Sequence, residues 1–140
     1  MASFKAQVTS QVEKLWQERW PTYKLSQTYI WFPWPDRKLA NRLLTYPRSI
    51  FSRMVAFITG HCRLRRHNLL VDPEVIPPVT CRLCSEAPER ACHILMDCEP
   101  LWRLRMEHFS SPFLSHPLWH PQQMHGFLRE PSIVQLEGPE

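Results

Sequence analysis

Five cysteines and seven histidines supply the soft donor atoms of this chain, and one stretch brings four of them into metal-ligand spacing. Cys81 and Cys84 enclose two residues, eight more precede His93, and another four precede Cys98. Two cysteines so spaced can bend a short turn until both sulfurs face one point. A histidine and a third cysteine further on complete a tetrahedron. Four N/S donors with no open position are the chemistry of structural zinc. Such a site needs thiolates and a neutral imidazole, which Zn²⁺ enforces at neutral pH.

Two details follow from the spacing. On a regular helix His93 and Cys98 would point ~140° apart. The helix presenting His93 must therefore distort before Cys98, and Pro100 limits its length. Cys92 adjoins His93 and can replace it in a four-cysteine set. Adjacent residues on a helix diverge by about 100°, so one of the two faces the metal, and His93 is the expected ligand. Cys62 reads as a small buried hydrophobe. His61 and His67 read as capping or packing residues. His116, His120 and His125 sit among prolines without cysteine partners, a weak basis for a second metal.

The same donor set argues against catalysis. A catalytic zinc keeps a position for water or substrate, and this set is closed. A deaminase site needs His-x-Glu ahead of the Cys pair, and no His-x-Glu occurs. There is no P-loop and no Gly-x-Ser-x-Gly. Through residue 70 the acids are Glu13, Glu18 and Asp36, too few to converge on Mg²⁺ in a nuclease. The chain is expected not to be an enzyme.

The elements that must position these residues are short helices. At 140 residues the chain is one domain by length, 44% hydrophobic, with 14 prolines and 3 glycines. A helix is expected from Met1 to Trp20, with Phe4, Val8, Val12, Leu15 and Trp16 as an apolar stripe and Trp16 and Trp20 in the core. Thr22 to Pro35 reads as a connection. Asp36 caps a helix to about Tyr46. Another runs from Arg48 to Ile58 with Gly60 as its C′ residue. A short helix follows from His61 to Leu70, then a linker from Asp72 through Pro77-Pro78. Ala91 to Met96 forms a helical turn, Pro100 to Phe109 a helix, and Pro121 to Arg129 a last short helix before a tail frayed from Pro131. The fold class is mostly α: a small helical domain stapled by a Cys-Cys-His-Cys zinc knuckle, with irregular Pro-rich connections. The chain divides into a basic helical region (1–72), the zinc knuckle with its following helix (73–110) and a Pro/His-rich tail (111–140), with 1–110 as one compact unit.

Charge is segregated. Arg37 to Arg66 holds eight basic residues and no acidic one, whereas His67 to the C-terminus holds five basic and ten acidic residues. An acid-free basic block suits a polyanion. Arg42, Arg48, Arg53, Arg63, Arg65 and Arg66 are the candidate contacts to RNA or DNA phosphates. A competing reading makes the aromatic segment Trp31 to Pro35 and the acidic half a surface for a protein partner. No signal peptide and no apolar run of about 20 residues is visible, so an intracellular, reducing setting (cytoplasm or nucleus) is expected, without membrane contact. That setting favours metal over disulfide at Cys81 and Cys84. No small-molecule substrate is expected.

Several motifs occur in one order: Trp16-Gln-Glu-Arg-Trp20; Phe51-Ser-Arg-Met-Val-Ala-Phe-Ile-Thr59-Gly60-His61; Leu64; His67-Asn-Leu-Leu70; the set Cys81, Cys84, His93, Cys98 with Pro100; and Arg103 or Arg105. Over about residues 12 to 109 this succession resembles the C-terminal tail, downstream of RNase H, of reverse-transcriptase polyproteins from jockey-type non-LTR retrotransposons. The resemblance implies a zinc-containing module associated with nucleic acid, with Cys81, Cys84, His93 and Cys98 as ligands. The polymerase and RNase H carboxylates lie outside that tail, so no activity is implied. What is implied is a standalone remnant, a truncated reading frame or a host-adopted fragment. The gap before the histidine is longer than in the retroviral nucleocapsid knuckle, whose sequence binding is therefore not implied.

Overall fold

Proline breaks and polar caps cut the chain into short helices. The computed structural model describes residues 3–67, 74, 79–114 and 120–138. Helix α1 (Phe4–Arg19) opens with the Ser3 hydroxyl accepting from the Ala6 amide and gives way to a 3₁₀ turn, Trp20–Tyr23, at Pro21. Helix α2 (Gln27–Trp31) is capped by Ser26, and α3 (Arg37–Leu43) by Asp36, each accepting from the amide three residues on. Helix α4 (Arg48–Thr59) follows Pro47 and stops at Gly60, whose φ of 79° favours glycine. Helix α5 (Ala91–Met96) leads through a 3₁₀ turn, Glu99–Leu101, into α6 (Trp102–Phe109). Pro121 and Pro131 occupy the first turns of α7 (Pro121–Leu128) and α8 (Pro131–Leu136). Among the described residues the extended structure is one antiparallel bridge, Thr80 to Pro88. The molecule is mostly α-helical, as composition and periodicity required.

The core forms around α4. Its buried Met54, Phe57 and Ile58 meet α2, α5 and α7. Trp31, Leu64, Ile94, Leu95, Leu101, Met124, Phe127 and Leu128 complete the same cluster. Each fully buried side chain of this size stabilises the fold by about 1.5–3 kcal/mol. Helices α6 and α7 approach closely because Gly126 has no side chain: a Cβ there would stand 2.8 Å from His108 Nδ1. Among the described residues no helix is long and apolar enough to cross a membrane.

Four expectations are corrected. The stripe of α1 is not core: Phe4 is 82% and Trp16 53% exposed, and no residue of the helix is buried. The turn at Pro21 redirects the chain, so α1 packs mainly along the 3₁₀ turn. Trp20 is half-buried and donates its indole N–H to the Phe32 carbonyl at 2.5 Å. The stretch 22–35 contains α2, signalled by Ser26, and Trp31 is core at 2% exposure, so it cannot serve a protein partner. Trp34 remains 65% exposed. The chain from Pro131 is not frayed, since Ile133 and Leu136 are buried in the core. Of the helix expected over 61–70, residues 65–67 are helical. Its last three residues lie outside the described residues, as does the linker over 72–78 apart from Glu74.

Candidate metal centre

The first two donors sit on a tight knuckle. Cys81 N–H donates to the Ala87 carbonyl at 2.8 Å, and Glu89 N–H to Val79 at 2.7 Å, pairing the two arms beside the Thr80–Pro88 bridge. Ser85 N–H returns to the Cys81 carbonyl at 2.8 Å, and Ser85 adopts φ 59° to close the turn. The Leu83 amide points at Cys81 Sγ, 3.4 Å away. Backbone N–H groups aimed at sulfur favour its thiolate form.

The other two donors come from α5 and its end. His93 lies within the helix. Asp97 leaves helical geometry at φ −137°, and the amides of both Asp97 and Cys98 converge on the His93 carbonyl at 3.1 and 2.9 Å. That exit removes the angular mismatch that a continued helix would impose, and Cys98 turns back toward the knuckle. Cys81 Sγ and Cys98 Sγ are 3.8 Å apart, Cys84 Sγ and His93 Nε2 are 3.3 Å apart, and all four ligand atoms lie within 4.8 Å of one another. A tetrahedral ion with zinc–sulfur bonds of ~2.3 Å needs sulfur–sulfur edges of ~3.8 Å. The residues present therefore fit a single metal ion. Cys92 is not part of this cluster.

Electrostatics prepares the donors unequally. Burial pushes the Cys81 and Cys98 thiols up, reinforced at Cys98 by the neighbouring sulfurs of Cys81 and Cys84. At Cys84 burial acts the same way but is outweighed. Amides of Glu86 and Ala87, with His93 and Cys81, bring this thiol down to about 7. His93 Nδ1 stands 2.8 Å from Asp97 Oδ1. With the Nδ1 proton shared with that carboxylate, the Nε2 lone pair is left for the cluster, the usual carboxylate–histidine support of a metal ligand.

Sequence reasoning missed the groups that brace the knuckle. Glu89 is fully buried and accepts from Arg82 at its amide (2.9 Å), Nε (3.0 Å) and Nη2 (2.7 Å), and from the Arg65 amide (3.2 Å). Arg82 also donates to the Leu136 carbonyl at 2.5 Å, tying the knuckle to the end of α8. Arg105 is fully buried beneath α5. Asp97, four residues after His93, left a signal in the spacing, and Arg105 stood in the motif order as one of two arginines.

The six candidate arginines divide. Arg42, Arg48, Arg63 and Arg66 are exposed. Arg42 touches His120 Nδ1 at 3.2 Å, and no carboxylate among the described residues pairs with any of the four. Arg53 is half-buried and paired with Glu137, its Nε 2.6 Å from the carboxylate. Arg65 donates to the Thr80 carbonyl at 3.1 Å. These two brace the fold. His61 and His67 pack edge to face at 5.4 Å, His125 packs on Tyr46, and Cys62 is buried; none joins a metal cluster among the described residues. His116 lies outside the described residues. No protein-family model matches the chain, and neither the curated proteins nor the solved structures contain a match.

Proposed function

We propose that this chain is a non-enzymatic helical module, stapled by one structural Zn²⁺ at Cys81, Cys84, His93 and Cys98, that binds RNA or DNA through phosphate contacts. Bound there, Zn²⁺ supplies a cross-link between the knuckle and α5 and part of the folding free energy. The donor set is closed, so no position is left for substrate. The observation that carries the nucleic-acid reading is the exposure of Arg42, Arg48, Arg63 and Arg66 on a segment without a carboxylate. Arg48 opens α4 and Arg63 follows its end in sequence, with a helix of about 18 Å between them, a length that suits a run of phosphates. The resemblance of the motif order to retrotransposon polyprotein tails supports the same reading, and an element-derived origin belongs to this proposal. So does a place in the cytoplasm or nucleus, where thiols stay reduced.

Two measurements test it. Elemental analysis of the purified protein should find one equivalent of zinc. Binding to labelled oligonucleotides should weaken with salt, with a log–log slope of about −3 for four phosphate contacts on a single strand. A flat slope, or unchanged binding after Arg42, Arg48, Arg63 and Arg66 are all replaced by alanine, overturns the nucleic-acid reading.

A second reading, a protein-interaction adaptor, draws on the exposed stripe of α1 and on Trp34. A complex that survives nuclease and is lost in Leu15→Ala/Trp16→Ala would favour it.

A further inference from the structure

Between the end of α4 and the start of α5 lies a cleft of about 210 Å³. Its walls carry Gly60, His61, Arg66, His67 and Arg90, and among the described residues no carboxylate lines it. We infer that this cleft seats a backbone phosphate of the bound nucleic acid, held between Arg66 and Arg90. The inference rests on the nucleic-acid reading above and names the point of contact.

Three observations build the site. First, the two arginines come from opposite halves of the chain and are brought together by the main chain. Arg66 N–H donates to the Glu89 carbonyl at 3.1 Å, which sets Arg66 beside the residue after Glu89, namely Arg90. Both side chains are exposed, and no carboxylate among the described residues pairs with either guanidinium. Two unpaired guanidinium groups on one cleft are a cost in self-repulsion that an anion relieves, and their planar forks match phosphate oxygens.

Second, the carbonyl end of α4, which would repel an anion, is covered. Gln27 Nε2 donates to the Phe57 and Ile58 carbonyls at 2.6 and 3.1 Å. Gly60 N–H also takes Phe57, and the Thr59 hydroxyl takes Val55 at 2.9 Å and Ala56 at 3.4 Å. Glu89, the residue before Arg90, is buried and committed to Arg82 and the Arg65 amide. Among the described residues the cleft is thus lined by cationic and donor groups, with the α4 carbonyls and Glu89 satisfied.

Third, the size is right. The volume is several times the ~30 Å³ share of one water molecule, room for a tetrahedral oxyanion with part of its hydration. His61 and His67, packed edge to face, form the wall beside Arg66. Gly60 keeps the rim open, because a Cβ there would meet Gln27 Oε1 at 2.9 Å and disturb the cap on α4.

The test uses the full chain, loaded with zinc, and a fluorescein-labelled single-stranded RNA of about a dozen nucleotides. Arg66→Ala and Arg90→Ala should each weaken binding about tenfold, and the double variant should flatten the salt slope by about 0.7, one phosphate's share on a single strand. Arg48→Ala, at the far end of α4, should flatten the slope equally while leaving the effect of Arg66→Ala additive. Zinc content and helicity should be unchanged in all three, since these side chains are exposed. Orthophosphate should move the backbone amide resonances of Gly60, His61 and Arg66 in the wild type and not in Arg66→Ala/Arg90→Ala. If the double variant binds RNA as tightly as the wild type while Arg48→Ala is weakened, the cleft is wrong and the broader function stands. If the wild type binds no RNA or DNA, the broader function fails. The nucleic-acid assignment of the cleft falls with it, whether or not orthophosphate shifts those amides.

Discussion

Arg105 reaches from α6 beneath the metal site and donates to the main-chain carbonyl of Cys98. The same guanidinium serves the Ile94 carbonyl at 3.2 Å and the Pro112 carbonyl at 2.5 Å. One side chain thus joins α5, the fourth candidate ligand and the segment after α6. No carboxylate among the described residues pairs with it. Three thiolates and a neutral imidazole around a divalent ion carry a net charge of −1, and Arg105 is the buried cation beside them. Arg105→Met should therefore lower the stability of the zinc-loaded protein by about 3 kcal/mol, because the buried Ile94 and Cys98 carbonyls and the part-buried Pro112 carbonyl lose the donor that Arg105 supplies. Arg105→Lys keeps the charge without the fork and should recover only part of that. Urea unfolding measures both; a loss under about 1 kcal/mol for Arg105→Met would show the residue to be dispensable.

Loading the site must release protons. The Cys81 and Cys98 thiols are raised by burial and stay protonated at neutral pH without metal, whereas Cys84, held at about 7, is roughly half ionised there. At pH 7 zinc binding should thus displace between about two and three thiol protons, and affinity should fall steeply as pH falls. Calorimetry in two buffers of different ionisation enthalpy counts the protons. A release near one would mean that the thiols are not the ligands.

Glu89 gives the fold an acid limit. Burial acts to raise this carboxyl, but Arg82 and the amides of Arg82 and Arg65 outweigh it and hold it below the ordinary 4.5. A depressed folded value favours folding above the unfolded value, and that contribution is lost as pH falls through the folded one. Stability should therefore decline from about pH 4.5 downward. Glu89→Gln should cost about 2 kcal/mol at pH 7, by removing the buried carboxylate that accepts from Arg82 and the Arg65 amide, and should make the remaining stability less sensitive to acid. Denaturant midpoints between pH 3 and 7 decide this; a parallel decline in both proteins would sink the assignment.

How much of this was legible in the sequence depends on the range of the force. The cap residues Asp36 and Gly60 act within a few residues, and α4 came out of the sequence with its end at Gly60. The Cys-Cys-His-Cys spacing is likewise local, and it required the helix break that Asp97 makes. The missed features are tertiary. Nothing in an amphipathic stripe states whether a partner exists, so α1 read as core when Pro21 leaves it exposed. Arg82, Glu89 and Arg105 meet partners 7 to 54 residues away and follow no period. The basic block counted six arginines alike, although Glu137 and Thr80 had already claimed two.

The exposure of α1 has a measurable counterpart. Trp16 touches Trp20 with ring centroids 5.8 Å apart but stays half in solvent. Trp16→Ala should change stability by no more than about 0.5 kcal/mol. Phe57→Ala, at a fully buried position, should cost about 3–5 kcal/mol. Thermal or urea unfolding of the two variants separates them, and a large loss at Trp16 would place α1 in the core after all.

The identity of the third ligand turns on His93, Cys92 and Asp97. His93 Nε2 faces Cys84 Sγ while Nδ1 faces Asp97, and Cys92 stands outside the cluster. Cobalt(II) reports the donors directly, because its sulfur charge-transfer absorption scales with the number of thiolates. Cys92→Ala should leave the spectrum and the one-ion stoichiometry unchanged. His93→Ala should lose tight binding, since a three-donor set leaves one position to water. Asp97→Asn should keep the spectrum but weaken metal affinity by about 10–100-fold, because the imidazole loses the carboxylate that orients it. A drop in thiolate absorption in Cys92→Ala, with His93→Ala still binding tightly, would instead make the site a four-cysteine one. Asp97 would then have no part in it, and Asp97→Asn would bind as the wild type does.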